Sequence, residues 1–456
     1  MENGTCLSNT QVRAKSDLSN YGPISLTCIS CKLMEHIILS HVSKHLASNR
    51  ILTDAQHGFR QGLSTTTQLS LAVDDWSSAL QHRSQVDAIF LDFQKAFDRV
   101  PHQRLQIKLQ FYGISGDTLN WIMSFLTDRQ QAVVIDGTQS SWRNVSSGVP
   151  QCSVLGPTLF LIFINDITDQ VQSKIRLFAD DCVVYRDIAS EVDHQILQHD
   201  LAQLSTWSSV WQMSFNVKKC GVLSITRKRS PSIFDYKLHN DVIPRPTEYK
   251  YLGVTVTPDL RWNTHCQKIR HKASRTLGLI RRTLSPCSME VKTRAYAALV
   301  RPQLEYAAEA WNPHTVTTIN ALEQVQKAAA RFVHGDYRRT TSSSALVSAL
   351  GWHTLHNRRL LAQCVLFHKV HHQLVCIPYP QIISPATYIG RHDHQLKYTV
   401  PKATMDSYKF SVFPRATRLW NNLPGTVVQL TNPTEFREAA LQHITTMQPS
   451  TGSTVL

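Results

Sequence analysis

No apolar run in this sequence is long enough to cross a bilayer. The longest, LFLIFI from Leu159 to Ile164, falls far short of the ~20 residues that a span requires, so no membrane segment is expected. The first twenty residues, MENGTCLSNTQVRAKSDLSN, hold no apolar core of a secretory leader, which predicts a nuclear or cytoplasmic protein that is not secreted. In that setting the ten cysteines are expected as thiols, and the N-x-S/T matches at Asn3 and Asn144 are incidental. Only one C-x-x-C occurs, Cys28 to Cys31, without a second pair at zinc spacing, and this argues against a zinc ribbon. His371-His372 and the His392/His394 pair also lack companion ligands and read as surface or core histidines. Internal repeats and low-complexity tracts are missing, so a solenoid is excluded. Acidic residues are the remaining shortage: 33 Asp plus Glu against 48 Lys plus Arg leave +15. Such a chain favours an anionic polymer, nucleic acid first.

At 456 residues and roughly 150 per domain, the chain suits about three domains or one multi-lobed enzyme. Its 42% hydrophobic content and mean hydropathy of −0.21 suit genuine cores. From Ser30 to Leu46 the residues Leu33, Ile37, Val42 and Leu46 recur at helical spacing and predict a packing helix. VDAIFLDF, Val86 to Phe93, reads as a buried strand ending on a carboxylate. Pro101 marks a helix start, and Asp117 to Leu126 a second helix. A strand over Gln131 to Asp136 ends in the turn pair Asp136-Gly137. The glycine-proline loop SSGVPQCSVLGP then leads to an apolar helix over Leu159 to Ile167. Lys174 to Phe178 and Val183 to Arg186 read as strands flanking Ala179-Asp180-Asp181-Cys182, with both acids on the turn.

Beyond Tyr251-Leu252-Gly253 the pattern turns helical, with stripes at Ile269, Ala273, Leu277, Ile280 and Leu284 and at Ile319, Leu322, Val325 and Phe332. Arg261 to Arg339 carries 14 Lys plus Arg and 5 Asp plus Glu, a net +9 of the total +15. This fits a polyanion-binding surface, and an ordinary solvated basic face reads the same way. After Gly351 come Pro378, Pro380, Pro385 and an aromatic-basic patch, RLWNNLP, around Trp420, with no chemistry attached.

The residues that carry chemistry are acidic. Asp92 closes a predicted strand, and Asp180 and Asp181 stand between two others. Carboxylates brought within a few ångströms repel one another unless a cation sits between them. Hard Mg²⁺ accepts one or two carboxylates and completes its shell with substrate phosphates, and two such ions clamp an in-line phosphoryl displacement. Alone, an Asp-Asp turn is weak evidence, because Asp favours turns for its own backbone reasons.

The ordered series NYGPISL (Asn20 to Leu26), QHGFRQG (Gln56 to Gly62), FLDFQKAFDRVPH (Phe90 to His102), SGVPQCSVLGPTLF (Ser147 to Phe160), LFADD (Leu177 to Asp181), SFNVKKC (Ser214 to Cys220) and KYLGV (Lys250 to Val254) resembles the reverse transcriptases of non-LTR, LINE-type, jockey-like retrotransposons. VRPQLEYAAEAW (Val300 to Trp311) and FPRATRLWNNLP (Phe413 to Pro424) resemble that family's C-terminal region. The resemblance implies an α+β right-hand polymerase: partial fingers over 1–85, a palm over 86–257 (reverse transcriptase domain about 20–257), a helical basic thumb over 258–345, and a mainly helical C-terminal region over 346–456. It implies an RNA template, a DNA primer, dNTPs and two Mg²⁺ ions, with Mn²⁺ as a substitute.

Carried over residue by residue, the resemblance makes Asp92, Asp180 and Asp181 the metal ligands and catalytic acids. Phe97 would pack under the sugar and exclude the 2′-OH, core packing being its other reading. Gln151 would lie against the incoming nucleotide, Arg60 would meet its triphosphate, and Lys219, with Lys218 as a rival, would protonate the leaving diphosphate. Tyr251, Leu252 and Gly253 correspond to the primer grip. Three positions depart from the family pattern: Gly22 and Leu63 stand where it has arginine, and Cys152 where it has glycine, a residue that suggests positive φ or a close backbone approach. The family's upstream endonuclease is not in this sequence, so target-primed integration would need a nuclease in trans. The alternative expectation is an inactive remnant that only binds RNA or DNA.

Overall fold

The computed structural model describes residues 4–10, 21–135, 137–377, 383–391 and 393–447. Asp136, Pro378, Pro380 and His392 therefore lie outside the described residues. The chain divides into two compact units. One comprises the described residues within 1–61, 87–222 and 233–245. The other comprises those within 62–86, 223–232 and 246–456. The architecture is α+β, as expected.

The first unit is built on the sheet order Lys174–Phe178, Asp181–Ile188, Gln85–Leu91, of whose last strand residues 87–91 belong to this unit. Gln85–Leu91 is buried along its whole length, as its short apolar run predicts. Its one internal acid, Asp87, accepts from the Tyr236 hydroxyl at 2.9 Å, and His194 Nδ1 lies 2.7 Å from that same hydroxyl. Glu191–Trp211 buries Leu197, Leu201 and Leu204, and its buried Asp200 accepts the amides of Gln172 and Ser173 at 2.9 Å each. That pins the entry to strand Lys174–Phe178. Gly156–Ile164 is apolar all round and almost wholly buried, so it runs through the core rather than over it. The predicted continuation to Ile167 is instead a 3₁₀ turn, Asn165–Thr168. There the Asn165 side chain accepts from Thr53 N and donates to Ile51 O.

One expectation needs correction. In the helix Ile29–Ser48 only the second half of the predicted stripe is buried: Val42 and Leu46 are 2% and 3% exposed, whereas Leu33 and Ile37 are 64% and 46% exposed. The buried face is instead Glu35, Val42 and Leu46, spaced seven and four apart. Positions 33 and 37 lie about half a turn away at 3.6 residues per turn. Glu35 is buried because its Oε2 accepts the amide of Leu155, 2.8 Å away, at the N-cap of Gly156–Ile164.

In the second unit the hairpin Tyr249–Tyr251/Val254–Val256 stands with the helices Thr65–Gln81, Asn263–Thr283, Val316–His334 and Leu355–His371. The two predicted stripes are core. Ala273, Leu277 and Ile280 are buried on one helix, and Ile319, Leu322, Val325 and Phe332 on the other. RLWNNLP is not a surface patch at its centre: Trp420 is fully buried, its Nε1 donating to Leu396 O at 2.7 Å, with the Phe367 ring 5.3 Å away. Among the histidines, His368 is fully buried, and burial holds His371 near a pKa of about 4, a neutral core group at pH 7. Truncating Trp420 to Ala should cost about 3–5 kcal/mol. Chemical denaturation followed by circular dichroism measures this, and a loss below about 1 kcal/mol would contradict a core role.

Candidate active site

Asp92 follows directly on the central strand, and its neighbours are stitched to the SFNVKKC segment. Asn216 N donates to Asp92 O at 2.7 Å, Gln94 N to Ser214 O at 2.9 Å, and the Phe93 and Phe215 rings stack at 4.4 Å. The segment thereby delivers Lys219, whose Nζ lies 3.5 Å from Asp92 Oδ1. Asp180 and Asp181 belong to the hairpin of Lys174–Phe178 and Asp181–Ile188. Phe178 pairs with Asp181, leaving a two-residue loop, Ala179-Asp180. Only Asp180 is thus on the turn. The second strand begins at Asp181, two residues earlier than expected, because a two-residue loop matches the twist of paired strands.

The first loop position takes positive φ in this hairpin class and favours glycine, yet it is Ala179 at φ 53°. The conformation is held from outside. Buried Gln56 accepts from Ala179 N at 2.8 Å and from Gly58 N at 2.7 Å, and donates to Ala179 O at 3.1 Å. His57 N adds a bond to Leu177 O, 2.8 Å away, and Leu177 N one to Ala55 O, at the same length. A Cβ on Gly58 would stand 2.2 Å from Ala179 N, so glycine is required there. This is what QHG does in QHGFRQG. Sequence reasoning saw the motif and missed the clamp, whose only signal was the glycine beside a buried amide.

The three acids interact electrostatically. Burial raises the Asp92 carboxyl above the usual range, with Lys219 opposing. Burial also raises Asp180, its own backbone amide opposes, and Asp92 pushes it further up. Asp181 is pushed up to about 6 by burial, then by Asp180 and Asp92. Among the described residues no three His, Cys, Asp or Glu side chains close into a ready-made ion cage. Asp92 Oδ1 is nevertheless buried, and the Lys219 ammonium lies 3.5 Å from it. A hard oxygen donor suits a hard cation, and Mg²⁺ needs only one or two carboxylates besides water and phosphates.

Beside the acids, two motifs interlock. Gly148 N donates to Val100 O and Val149 N to Phe97 O, both at 2.8 Å, and Ser147 Oγ donates to Asp98 O at 3.0 Å. Gly148, at φ 97°, leaves no room for a Cβ, which would meet Asp98 O at 2.7 Å. Gln151 then donates from Nε2 to Asp98 Oδ1 at 3.0 Å. Phe97 stacks on Phe160 at 4.5 Å and meets Phe59 edge-on at 6.2 Å, so the ring is packed and partly buried. Arg60 is turned back onto its own loop, donating to Thr53 O at 2.6 Å with Asp54 3.7 Å away. Gly22 lies in the strand Tyr21–Leu26, and nothing in the structure explains Leu63. In the second unit, buried Tyr251 accepts from Gln68 Nε2 at 2.9 Å, and Leu252 and Gly253 make the two-residue turn at φ 44° and 83°.

Residues 13–256 match the family described as reverse transcriptase (RNA-dependent DNA polymerase), more than half of the chain, and the chain belongs to that family. It is 30% identical over 340 residues to the RNA-directed DNA polymerase from mobile element jockey of Drosophila funebris, covering 71% of this chain and 37% of that protein. It is 28% identical over 329 residues to the probable RNA-directed DNA polymerase from transposon X-element of Drosophila melanogaster, covering 70% and 36%. The chain thus spans little more than a third of these relatives' length. Among solved structures, a telomerase from Candida albicans aligns with a TM-score of 0.43 at 10% identity, over 82% of this chain and 59% of that one.

Two outcomes follow. Cys152 sits at φ 67°, the left-handed backbone that its glycine alternative takes freely. Cys152→Gly should therefore stabilise the protein by up to about 1 kcal/mol, after allowing for glycine's extra unfolded-state entropy. Thermal melting measures it, and a fall in Tm would contradict the strain. Gln56→Ala should release the Ala179 turn and weaken the protein by about 1–3 kcal/mol, since it leaves the Ala179 and Gly58 amides unpaired. Amide hydrogen exchange at 177–181 should accelerate in that variant; unchanged exchange would sink the clamp.

Proposed function

We propose that this chain is an RNA-directed DNA polymerase that extends a DNA primer on an RNA template with dNTPs, using two divalent cations, Mg²⁺ or Mn²⁺. The observation that supports it most is the sheet order, in which Asp92 follows the strand that neighbours the one Asp181 opens, with Asp180 on the adjoining turn and the three carboxyls electrostatically coupled. We read 1–85 as partial fingers, 86–257 as palm, 258–345 as thumb and 346–456 as a helical C-terminal region. Asp92 and Asp180 would hold the ions with help from Asp181, and the ions would supply an activated primer hydroxyl and charge neutralisation at the transferring phosphate.

The remaining work falls to the chain's own groups. Arg60 would leave Thr53 and Asp54 for the triphosphate, where a planar guanidinium gives bidentate contact. Gln151, oriented by Asp98, would lie along the nucleotide. Phe97, backed by Phe160, would close the space a 2′-OH needs. Lys219, poised at Asp92, would hand a proton to the departing diphosphate. The basic helices after Gly253 would track the hybrid through phosphate contacts.

Purified Asp180→Asn should lose primer extension by about a thousandfold or more while keeping its salt-sensitive hybrid binding. Full activity in that variant would end the assignment. A wild-type chain that binds hybrid without metal-dependent extension would favour the inactive remnant. Because Asp181 keeps its proton to about pH 6, Mn²⁺ affinity should rise between about pH 5 and about pH 7.5, and less steeply in Asp181→Asn. A flat pH profile in the wild type would contradict this.

A further inference from the structure

VRPQLEYAAEAW, Val300 to Trp311, has no role in the reaction described so far, yet several devices in it serve to place one side chain. A π-helical turn, Tyr296–Val300, runs into the helix Arg301–Glu305. The chain leaves that helix at Tyr306 (ψ 123°), passes through Ala307 at φ 49°, and resumes as Ala308–Trp311. Single π turns and left-handed non-glycine residues both cost conformational energy and concentrate at functional positions. The break is anchored on each side. Arg358 grips Glu305 with two guanidinium nitrogens, Nη2 lying 2.9 Å from Oε2, and Trp311 Nε1 donates to Tyr306 O at 2.8 Å.

The side chain so placed is Tyr306. Its hydroxyl donates to Leu252 O at 3.1 Å, and its Cε1 lies 3.0 Å from where a Cβ on Gly253 would stand. The ring therefore fills the flank that Gly253 leaves bare and fixes the turn through the carbonyl between Tyr251 and Gly253. It is not buried by doing so: Tyr306 remains 46% exposed, and Gly253 is exposed beside it. Three residues before the break, Gln303 Nε2 donates to Thr276 Oγ1 at 3.0 Å on the helix Asn263–Thr283. The same helix carries exposed Lys272 one turn before Thr276, exposed Arg275 next to it and exposed Arg282 six residues on. A fixed, half-open aromatic ring next to a basic helix is the arrangement that single nucleic-acid strands use, with the charges tracking the backbone and the ring taking a sugar or base.

We propose that Tyr306 positions the Leu252-Gly253 turn and, with that turn, forms a contact surface for the primer strand of an RNA–DNA hybrid. This rests on the reading of Tyr251 to Gly253 as the primer grip. Tyr306 touches no reacting atom. It acts on how the strand is held, and its effect belongs to primer binding rather than to the nucleotide.

The test uses the full chain with a fluorescent DNA primer annealed to an RNA template, reading hybrid Kd by anisotropy, product length with a trap, and KM for one dNTP. Tyr306→Ala should raise the hybrid Kd about tenfold, in line with aromatic–base contacts, and shorten products, while the dNTP KM stays within about twofold. Tyr306→Phe keeps the ring and loses the bond to Leu252 O, so it should fall between the two, at about threefold, with an unchanged melting curve. Gly253→Ala should reproduce the alanine phenotype from the other side of the contact. Wild-type Kd and product length in both Tyr306 variants would overturn the proposal. So would a loss in Tyr306→Ala that tracks its melting temperature while Tyr306→Phe binds as wild type, since that is a packing role alone. Asp180→Asn serves as the binding-competent control. If the wild type binds hybrid yet extends nothing, the polymerase reading fails while the Kd comparison still judges Tyr306; if it binds no hybrid, the primer-grip reading and this proposal fall together.

Discussion

Mutual repulsion of carboxylates is the constraint around which the first unit is organised. Two like charges 4 Å apart repel by about 4 kcal/mol at an effective dielectric of 20, several times the worth of one ordinary hydrogen bond. A sheet that places Asp92 beside the Asp180-Asp181 hairpin therefore cannot rely on the acids to hold themselves in place. The responses are visible in the structure. The carboxyls take up protons more readily than free ones, Lys219 pairs with Asp92, and the turn bearing Asp180 is held by two hydrogen bonds to Gln56.

The same logic extends outward. The loop carrying Gln151 is fixed by Asp98 at one end and by Glu35, through Leu155, at the other. Both are acids spent on backbone amides or side-chain amides rather than on chemistry. Asp200 does likewise for the strand that leads into the Asp-Asp hairpin. Glu35, Asp98 and Asp200 thus serve as scaffold by accepting amides, whereas the buried Oδ1 of Asp92 faces the Lys219 ammonium.

How much of this was legible in the sequence depends on the range over which each feature acts. The central strand, the hairpin before Asp181, and the helices at Pro101 and Gly116 follow from local apolar pattern and turn chemistry, and the ordered motifs single out the three acids. Leu33 and Ile37 misled because their four-residue spacing is what a core stripe looks like. The face actually buried is chosen by a partner 120 residues away, Leu155, whose amide needs the carboxylate of Glu35. Gln56 was quoted as part of a motif without a role for the same reason: its partners, Ala179 N and O, are 123 residues downstream. No periodicity records a hydrogen bond across such a separation.

Backbone strain sharpens the distinction. Several left-handed non-glycine residues simply end helices: Gln212 caps Glu191–Trp211, and Arg50, Arg83, Asp128 and Gln373 each follow a helix C-cap. Ending a helix this way is ordinary, since the left-handed residue satisfies free carbonyls. Ala307 likewise follows the C-cap of Arg301–Glu305; of the rest, Phe59, Lys95, Cys152, Ala179 and Leu252 lie inside the recognised motifs, and His239 and Leu260 lie outside them. A non-glycine residue held at positive φ without a cap to justify it persists only where the surroundings over-determine it. In this chain those surroundings are Gln56 for Ala179 and the Tyr306 hydroxyl for Leu252. The strained positions in both units therefore identify the same kind of place: a turn whose geometry has been set from outside by a side chain that does no chemistry of its own.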